Sequence, residues 1–290
     1  MNFKDKIIGK QFVITSEIGP PKGTNIEPHI EEALHIKDKI DAYNVTDLQS
    51  SVMRLGSLAT CALLINKGLE PVFQITCRDR NRLALQSDLL SAYVLGIRNI
   101  LCLTGDHPVL GDHPDAKPVF DLDSVSLLKA ATDLMNGKDI NGNELDGKPD
   151  FFLGAVVSPG SDPLEPQIIK MEKKIEAGAK FFQTQAVYDL KAFENFMKKV
   201  EKYNVSILGG IVLLKSAGMA KYMNENVAGV SVPDKYIKMM AEAKKEDRPK
   251  TSIKIAAELI KGMKSLCQGI HIMPLGWEKY VPLVLEESGF

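Results

Sequence analysis

The sequence has few cysteines and no recognisable metal-binding or disulfide pattern. Its 290 residues include four cysteines and five histidines. No two cysteines form a CxxC motif and all lie in or beside apolar stretches, which favours buried thiols in a reducing compartment. The histidines form no HExxH motif or other zinc spacing. We therefore predict that the protein binds no metal.

An excess of charge and long apolar runs are also lacking. The formal net charge is -1, from 36 basic and 37 acidic residues. Nucleic acids and anionic membranes favour a clustered basic excess, so we expect neither as a partner. No apolar run approaches transmembrane length, and the first residues, MNFKDKIIGKQF, contain no apolar signal core. These absences predict a cytoplasmic protein.

What the chain does contain is a regular alternation of strand-like and helix-like segments. Strands this short and apolar are typical of a parallel sheet that is buried on both faces. Eight such units within 290 residues indicate a closed (β/α)₈ TIM barrel of the α/β class, which we expect to form one domain over 1–290. The predicted strands cover about 12–17, 42–46, 71–76, 100–103, 152–157, 181–184, 206–214 and 270–273.

Predicted helices lie between these strands. The first covers about 27–40, and the last, about 252–266, precedes the eighth strand. The seventh strand is expected to be interrupted at Gly209-Gly210, because glycine weakens a strand. Residues 136–149 are rich in turn formers and predict an exposed loop or small hairpin.

A doubly wound open sheet is the alternative architecture. Such a sheet normally carries a glycine-rich phosphate-binding turn after its first strand. Here that turn is Ile18-Gly19-Pro20-Pro21, and proline has no N–H to donate. The sequence also contains neither GxGxxG nor a Walker motif, so the closed barrel is favoured.

Polar side chains follow most of the predicted strands. In a barrel, the carboxyl ends of the strands and the loops after them form one mouth, where binding residues collect. Carboxylate and amide groups at such a mouth match the donor and acceptor edges of a pterin or flavin ring better than they match a metal ion. The set includes Glu17, Thr46, Asp47, Gln74, Thr76, Thr104, Asp106, Gln183, Gln185 and Lys215.

Two of these positions, and a group of three lysines, have two interpretations each. Asp106, in the turn of NILCLTGDHP at 99–108, either faces a cleft or caps its own backbone. Glu17 ends an apolar strand, where dry surroundings favour the neutral acid and general acid catalysis, or it caps the loop or pairs with a base. The lysines at 170, 173 and 174 form a solvated helix face, or one of them reaches a ligand phosphate.

At this point the sequence resembles the methylenetetrahydrofolate reductase family, over nearly the whole chain from about Phe12. Each matching motif is short, but their order and spacing are specific. The family fold is a (β/α)₈ barrel. The motifs are TSEIGPP at 15–21, NVTD at 44–47, ITCRDRN at 75–81, LTGDHP at 103–108, KKIEAGAKFFQTQAVYD at 173–189 and GGIVLL at 209–214.

The resemblance implies an activity. The family reduces 5,10-methylenetetrahydrofolate to 5-methyltetrahydrofolate in one-carbon metabolism, by hydride transfer from a reduced flavin, usually FAD. By resemblance, Glu17 is the general acid that protonates N10 of the folate. Asp106 faces both rings, binds the aminopyrimidine edge and favours the cationic iminium. Gln185 hydrogen-bonds the folate.

The resemblance also implies a set of flavin contacts. Thr46 and Gln74 would lie by the flavin ring, and Leu103, Thr104 and Gly105 would supply further contacts. Lys174 matches the lysine that contacts the flavin phosphates.

The sequence departs from the common family pattern in several places. Gln74 stands where many members have a histidine, and Thr104 stands where an arginine is common. These changes favour FMN as the alternative to FAD. No aromatic residue near Lys215-Ser216-Ala217 matches the one that packs on nicotinamide or folate, which opens the choice between NADH and an electron-transferring partner subunit as donor.

These departures resemble the reductases of anaerobic one-carbon pathways, so we expect a homo- or hetero-oligomer. Two other functions stay open. One is a flavin-free barrel that transfers the methyl group of a folate. The other is a flavin subunit that is active only within a larger electron-transfer complex.

Overall fold

Eight parallel strands close into a barrel in the computed structural model, which describes residues 1–290. The strands are paired in chain order, and β8 pairs with β1 to complete the ring. The predicted TIM barrel is therefore confirmed, and the open sheet is excluded. The strands are β1 (Val13–Ile18), β2 (Ala42–Val45), β3 (Pro71–Thr76), β4 (Asn99–Leu103), β5 (Phe152–Val157), β6 (Phe181–Ala186), β7 (Ser206–Val212) and β8 (Gly269–Met273).

Eleven α-helices accompany the strands, most of them on the outside of the barrel. Their apolar faces cover the outer side of the sheet and form the larger part of the core. They are α1 (Phe3–Ile8), α2 (Glu27–His35), α3 (Ser57–Asn66), α4 (Arg82–Val94), α5 (Ser124–Met135), α6 (Glu165–Glu176), α7 (Leu190–Val200), α8 (Ala217–Asn226), α9 (Asp234–Glu242), α10 (Arg248–Met263) and α11 (Val281–Glu287).

The helices differ from the predictions in three ways. Helix α2 stops at His35, and a short 3₁₀ turn, Lys37–Lys39, continues toward β2. Helix α10 begins at Arg248, because Pro249 is accommodated in its first turn, where no backbone N–H is needed. Neither α1 nor α11 was predicted, since both are too short to show a clear helical period.

The inward and outward faces of each strand follow the two-residue period of a β-strand. Val13 of β1 lies in a small apolar cluster inside the barrel with residues from β2 to β7. Thr15 and Glu17 share the inward face with Val13, whereas Ile14 and Ile18 belong to the outer core. The interior is thus apolar at the amino-terminal end of the strands and polar toward their carboxyl ends.

Helix α1 closes the amino-terminal end of the barrel. The ring of Phe3 is fully buried and lies edge-on to Phe181 and Phe152, with centroid separations of 5.3 and 6.0 Å. Its backbone N–H donates to both carboxylate oxygens of Glu70 at 2.9 Å. Asn2 caps the helix by accepting from the N–H of Asp5. The carboxyl end is therefore the end at which ligands can enter.

Strand β7 is continuous through Gly209 and Gly210, so the predicted interruption is wrong. The pairing of β6 with β7 shifts register between Gln183 and Ala186, which is a β-bulge. A Cβ on Gly210 would lie 2.4 Å from the carbonyl oxygen of Thr184 and 2.9 Å from that of Gln185. Glycine is needed here because the bulged strand comes too close for any side chain.

Two remaining features concern the surface. Residues 136–149 are turn-rich, with one antiparallel bridge between Lys138 and Glu144, in agreement with the predicted small hairpin. No helix has both the length and the apolar character that crossing a membrane requires.

Candidate functional site

Glu17 lies near the carboxyl end of β1, on the face of the strand that points into the barrel, and is 9% exposed. Its Oε1 is 3.6 Å from Nε2 of His271, a buried residue on the neighbouring strand β8. The other ring nitrogen of His271, Nδ1, is 2.9 Å from Oγ1 of Thr15. A carboxyl group, an imidazole and a hydroxyl therefore lie in a row at the open end of the barrel. Thr15 and His271 are joined by a hydrogen bond, whereas the 3.6 Å between Glu17 and His271 is longer than one.

The polar chain continues below Thr15 across the barrel. The Nδ2 of Asn44 donates to Oε1 of Gln183 at 2.7 Å, and Nε2 of Gln183 donates back to Oδ1 of Asn44 at 2.9 Å. The same Nε2 lies 3.4 Å from Oγ1 of Thr15. This reciprocal amide pair forms a polar floor beneath the site, and its hydrogen bonds satisfy groups that would be costly to bury unpaired.

His271 was not assigned a role from the sequence. The sequence signal that could have found His271 is the two-residue period of β8, in which Gly269 and His271 lie on one face and Ile270 on the other. The register pairs His271 with Thr15 of β1. A histidine on the inward face of the last strand comes next to the inward face of the first strand once the barrel closes. The alternation of inward and outward residues along β8 could be read from the sequence. The contact between His271 and β1 could not, because it depends on closure of the barrel.

Asp106 lies in the loop after β4 and is exposed. The hydrogen bonds at this residue are made by its carbonyl oxygen, which accepts from Oγ of Ser51 at 2.9 Å and from Nη1 of Arg78 at 3.3 Å. Its carboxylate does not cap the turn. Instead, Nδ1 of His107 accepts from the N–H of Val109. The self-capping interpretation is therefore wrong, and the Asp106 carboxylate is free for a ligand.

The backbone before Asp106 is fixed by a close approach to β3. Gly105 has a φ of +93°, which disfavours any side chain. A Cβ there would also lie 3.1 Å from the Cβ atoms of both Thr76 and Arg78. Thr104 accepts from the N–H of Ser124 at 3.2 Å, which ties the loop to the start of α5. The loop therefore presents its backbone in one defined position.

Arg78 joins the loops after β2, β3 and β4. It is 2% exposed, pairs with Asp79 and donates to Oγ of Ser51 at 3.0 Å. Ser51 and two other non-glycine residues of the same loop, Leu48 and Ser50, have positive φ. Such conformations cost free energy and persist where surrounding contacts hold them. Arg78 supplies those contacts and so fixes one side of the mouth.

Asp47 has a structural role. Its carboxylate accepts from the N–H and the hydroxyl of Thr76, both at 2.9 Å, and pairs with Arg80 at 2.8 Å. Every oxygen of this buried group is thereby engaged. The carboxylates of Glu17 and Asp106, by contrast, are not taken up by such a network.

Two predicted cofactor residues face the mouth from β2 and β3. Thr46 is 2% exposed, and its Oγ1 is buried without any hydrogen-bond partner. Buried hydroxyls are nearly always paired, so this atom fits a ligand that supplies the partner. Gln74 occupies the inward side of β3, and Ser57 on α3 donates to its backbone carbonyl at 3.0 Å. The Ser57 contact leaves the Gln74 amide free.

Lys174 is buried on α6, where its Nζ donates to the carbonyl oxygen of Val156 at 2.7 Å. Burial, reinforced by the charge of Lys170, lowers the pKa of its amine to about 8. The amine has no carboxylate within ion-pair distance. It is therefore not part of a solvated helix face, and an anionic ligand group would relieve its unfavourable burial.

Gln185 is carried by the bulge of β6, and its backbone carbonyl accepts from Oγ1 of Thr184 at 2.7 Å. Thr184 in turn accepts from the N–H of Gly210 at 2.8 Å. Bulges redirect side chains and are common beside active sites. The Gln185 amide is partly exposed and forms no internal hydrogen bond that would prevent ligand contact.

A cavity of about 550 Å³ lies at the opposite, amino-terminal end. Its lining includes Lys4, Glu70, Arg98 and Asp150, residues that precede strands or belong to α1. The carboxyl-end mouth is the better candidate site, because inward side chains from several strands meet there.

The mouth fits a flavin on two observations. The hydroxyl of Thr46 lacks a partner, and the buried amine of Lys174 forms no ion pair with a carboxylate. One feature limits the phosphate contacts: Asp123 accepts from the N–H groups of Val125 and Ser126, so the start of α5 is already capped.

The fold and the mouth define a TIM-barrel protein of the class that binds a ligand at the carboxyl ends of its strands. Within that class, the chain belongs to the methylenetetrahydrofolate reductase family, whose sequence pattern matches residues 2–289. The resemblance read from the motifs is thereby confirmed.

Relatives support the same assignment. Methylenetetrahydrofolate reductase 2 of Schizosaccharomyces pombe is 29% identical over 98% of this chain and 46% of its own length. The 5,10-methylenetetrahydrofolate reductase of Pectobacterium carotovorum is 30% identical over 50% of this chain and 44% of its own length. The chain thus spans about half the length of these relatives.

Solved structures share the fold. An uncharacterized Clostridium thermocellum protein, which binds two copies of 5-methyl-5,6,7,8-tetrahydrofolic acid, has a TM-score of 0.64 at 19% identity and covers 98% of this chain and 95% of its own. A 2,3-dimethylmalate lyase has a TM-score of 0.52 at 9% identity, over 96% of this chain and 81% of its own. At these identities the likeness concerns the barrel alone.

Proposed function

We propose that the protein reduces 5,10-methylenetetrahydrofolate to 5-methyltetrahydrofolate with a bound flavin. The observation that carries the proposal is Glu17, an acid buried at the open end of the barrel with His271 at 3.6 Å. Family membership supports the reductase activity. The folate-binding structural neighbour supports a folate as ligand.

FAD, with FMN as the alternative, is the proposed cofactor. When bound, the flavin supplies the hydride. Thr46 and Gln74 would contact the ring, Leu103 to Asp106 would line it, and Lys174 would hold a phosphate. The unpartnered Thr46 hydroxyl and the buried Lys174 amine support these assignments.

Glu17 holds the proton that the folate needs. Its position beside His271 allows proton transfer to N10 of the substrate, after which the bond between N10 and the methylene carbon breaks. After the product leaves, Glu17 regains its proton from solvent at the open mouth, with His271 beside it. The exposed Asp106 carboxylate binds the aminopyrimidine edge and stabilises the positive charge on N5, while Gln185 hydrogen-bonds the pterin.

The wider setting is part of the same proposal. Residues 1–290 act as one domain in the cytoplasm, and the chain forms a homo- or hetero-oligomer. Electrons come from NADH or from a partner subunit. One measurement distinguishes these two sources. If the isolated chain oxidises NADH with an artificial acceptor at ordinary rates, it needs no partner subunit.

The test uses purified protein reconstituted with FAD or FMN. We expect a yellow protein whose flavin absorbance is bleached by a chemical reductant and restored by methylenetetrahydrofolate, with one 5-methyltetrahydrofolate formed per flavin. Mass spectrometry of the released cofactor separates FAD from FMN. Protein that takes up no flavin, yet transfers a methyl group from folate without a redox change, would be the flavin-free methyltransferase instead.

A further inference from the structure

The amino-terminal end of the barrel contains a cavity of about 550 Å³ that the proposed reaction does not use. It is lined by residues of α1, by the end of α3, by the loops before β3, β4 and β5, and by the first residues of these strands. The apolar cluster that contains Phe3 lies between this cavity and the mouth. The volume is that of a small-molecule site, for which about 300–1,000 Å³ is typical.

Asn99, the first residue of β4, has a buried oxygen atom without a hydrogen-bond partner. The residue is 2% exposed and lines the cavity. Its Nδ2 donates to Oε1 of Glu70 at 2.9 Å and to the carbonyl oxygen of Pro71 at 3.2 Å. Both partners are acceptors, so the orientation of the amide is fixed, and its Oδ1 accepts from no group of the protein. Buried polar atoms are nearly always paired, so a ligand with an N–H donor would supply the missing bond.

The carboxylate of Glu70 lies beside the Asn99 amide and adds a negative charge. It is partly buried, and it accepts from the backbone N–H of Phe3 at 2.9 Å and from Asn99, but it forms no ion pair. A carboxylate that is held by neutral donors binds a cationic N–H donor more strongly than another neutral one. Glu70 and Asn99 together therefore fit an ammonium group.

Arg98 supplies a positive charge to the same cavity. Its guanidinium lies 3.9 Å over the ring of Tyr93, and its Nη1 donates to the carbonyl oxygens of Tyr93 and Ile97 at 2.8 and 3.0 Å. Its Nε and Nη2 donate to no group of the protein. Lys4, the other basic residue of the lining, is instead paired with Asp150 at 3.1 Å. The free edge of Arg98 therefore fits a carboxylate, which a guanidinium binds through two parallel hydrogen bonds.

The remaining part of the lining includes an apolar wall, which is formed by Ile65, Leu69 and Phe152. Leu69 and Phe152 are buried, and Ile65 packs against the core. Gly68 and Gly96 also line the cavity and have no side chain that could fill it. An acidic group, a basic group and an apolar wall thus share one cavity. They match an α-amino acid with an apolar side chain, since its ammonium, carboxylate and apolar groups are attached to one carbon atom.

We propose that this cavity is a binding site for a free α-amino acid with an apolar side chain. Glu70 and Asn99 bind its ammonium group, Arg98 binds its carboxylate, and the apolar wall contacts its side chain. The inference goes beyond the proposed function, because it requires neither the flavin nor the folate. Glu70 also holds the start of α1 through the N–H of Phe3, so a bound amino acid would stabilise the closure of this end of the barrel.

Calorimetric titration of the full chain tests this site, with L-leucine as the probe. N-acetyl-L-leucine has no ammonium group and L-leucinamide has no carboxylate, so each analogue lacks one of the two proposed polar contacts. We expect L-leucine to bind saturably and both analogues to bind at least about tenfold more weakly. The inference is wrong if L-leucine, L-valine and L-phenylalanine all fail to bind up to about 10 mM, or if either analogue binds as tightly as L-leucine.

Variants locate the bound amino acid. In Arg98→Gln we expect the Kd for L-leucine to rise about tenfold and the Kd for L-leucinamide to change less than about twofold, because only L-leucine has the carboxylate. The matched control is Arg82→Gln, which should leave both Kd values unchanged. Arg82 begins α4 and pairs with Asp121, whereas Arg98 follows the other end of that helix. Glu17→Gln is the control for the mouth and should also leave both values unchanged.

These outcomes are independent of the proposed reduction of methylenetetrahydrofolate, because neither folate nor turnover is measured. If Arg98→Gln weakens L-leucine and L-leucinamide equally, or if Arg82→Gln has the same effect as Arg98→Gln, the loss is general and Arg98 does not bind the carboxylate. If Glu17→Gln weakens L-leucine as much as Arg98→Gln does, the amino acid occupies the mouth, and the site at the amino-terminal end is excluded.

Discussion

At the scale of single residues, Glu17 is the side chain with the clearest chemical assignment. It is buried on the inward face of β1 with an imidazole as its neighbour. In Glu17→Gln we expect folate reduction to fall by at least two orders of magnitude, because the amide cannot protonate N10. Reduction of the flavin by its donor should stay within about twofold, since that step needs no such proton. Stopped-flow absorbance measures the two half-reactions separately.

The matched control for this variant is Glu32→Gln. Glu32 lines the same small cavity as the backbone region of Glu17, but it lies outside the barrel on α2. Partial burial and the charge of Glu278 raise the pKa of Glu32. Its position on α2 gives the side chain no access to the mouth. Equal losses in both variants, or equal losses in both half-reactions of Glu17→Gln, would make Glu17 a structural residue.

Asp106 carries the second residue-scale prediction. Its carboxylate is exposed, while its carbonyl oxygen holds the loop through Ser51 and Arg78. Asp106→Asn keeps those backbone contacts and removes only the charge. We expect the flavin reduction potential to rise and the Kd for folate to increase about tenfold. Potentiometric titration and equilibrium dialysis measure these effects, and unchanged values for both would remove Asp106 from the mechanism.

The effect of Lys174 on the free energy of unfolding should depend on pH. Burial lowers its pKa to about 8 from an ordinary value of 10.5. Between these values the unfolded chain holds a proton that the folded chain has lost, so the free energy of unfolding rises with pH. Below about pH 8 both states are protonated and the full penalty of burying the charge remains. Relative to Lys174→Met, the wild type should gain on the order of 3 kcal/mol between pH 7 and pH 10.5.

Denaturant unfolding of the two proteins across this pH range tests the Lys174 prediction. The neighbouring Lys173→Met is the control, because Lys173 is exposed and its amine stays hydrated in both states. With flavin bound, a phosphate beside the Lys174 amine should raise its pKa, so flavin binding at pH 9 should take up a proton. A flat difference between wild type and Lys174→Met would show that the amine is hydrated in the folded protein.

At the scale of elements, the bulge of β6 determines where Gln185 lies. It depends on Gly210, whose hydrogen atoms leave space for the carbonyl oxygens of Thr184 and Gln185. Gly210→Ala should lower the free energy of unfolding by about 1–3 kcal/mol and also weaken folate binding, because the bulge has to move. Calorimetry and equilibrium dialysis measure these effects.

The control for Gly210→Ala is Gly218→Ala in α8. A Cβ at Gly218 would meet only the Ser216 hydroxyl at 3.7 Å, an ordinary contact. This change should be neutral or should stabilise by up to about 1 kcal/mol, because alanine favours a helix. A Gly210→Ala protein as stable as the wild type would mean that β7 can shift without affecting β6.

Much of this element-scale structure could be predicted, and the parts that could not have a common cause. The apolar strand-like segments and the helical segments between them locate the elements, because such signals are local. The continuity of β7 through Gly209-Gly210 depends on the approach of β6, which no local pattern contains. In the same way, the pairing of Glu17 with His271 follows only from closure of β8 on β1.

At the scale of the whole molecule, α1 seals one end of the barrel with Phe3. Phe3→Ala should lower the free energy of unfolding by about 3–5 kcal/mol, because it leaves a cavity against Phe152 and Phe181. Folate affinity at a temperature where both proteins are folded should be unchanged, since the cavity lies at the end opposite Glu17. Denaturant unfolding and equilibrium dialysis test the two statements.

Phe12→Ala is the control for the Phe3 prediction. Phe12 is only partly buried and stacks on Phe290 at 5.3 Å on the outside of the barrel. Phe12→Ala should lower the free energy of unfolding clearly less than Phe3→Ala does. If the two variants lower it equally, the ring of Phe3 has no special role in closing the barrel.

The seal at Phe3 also decides how water can reach the interior. The polar floor of Asn44 and Gln183, with Thr15 and His271 above it, is closed below by aromatic rings, so solvent enters only from the mouth. A ligand seated in that mouth would turn the floor into an isolated compartment. The groups inside it could then not exchange protons with solvent, and Glu17 would be the one group through which they could pass a proton to the ligand.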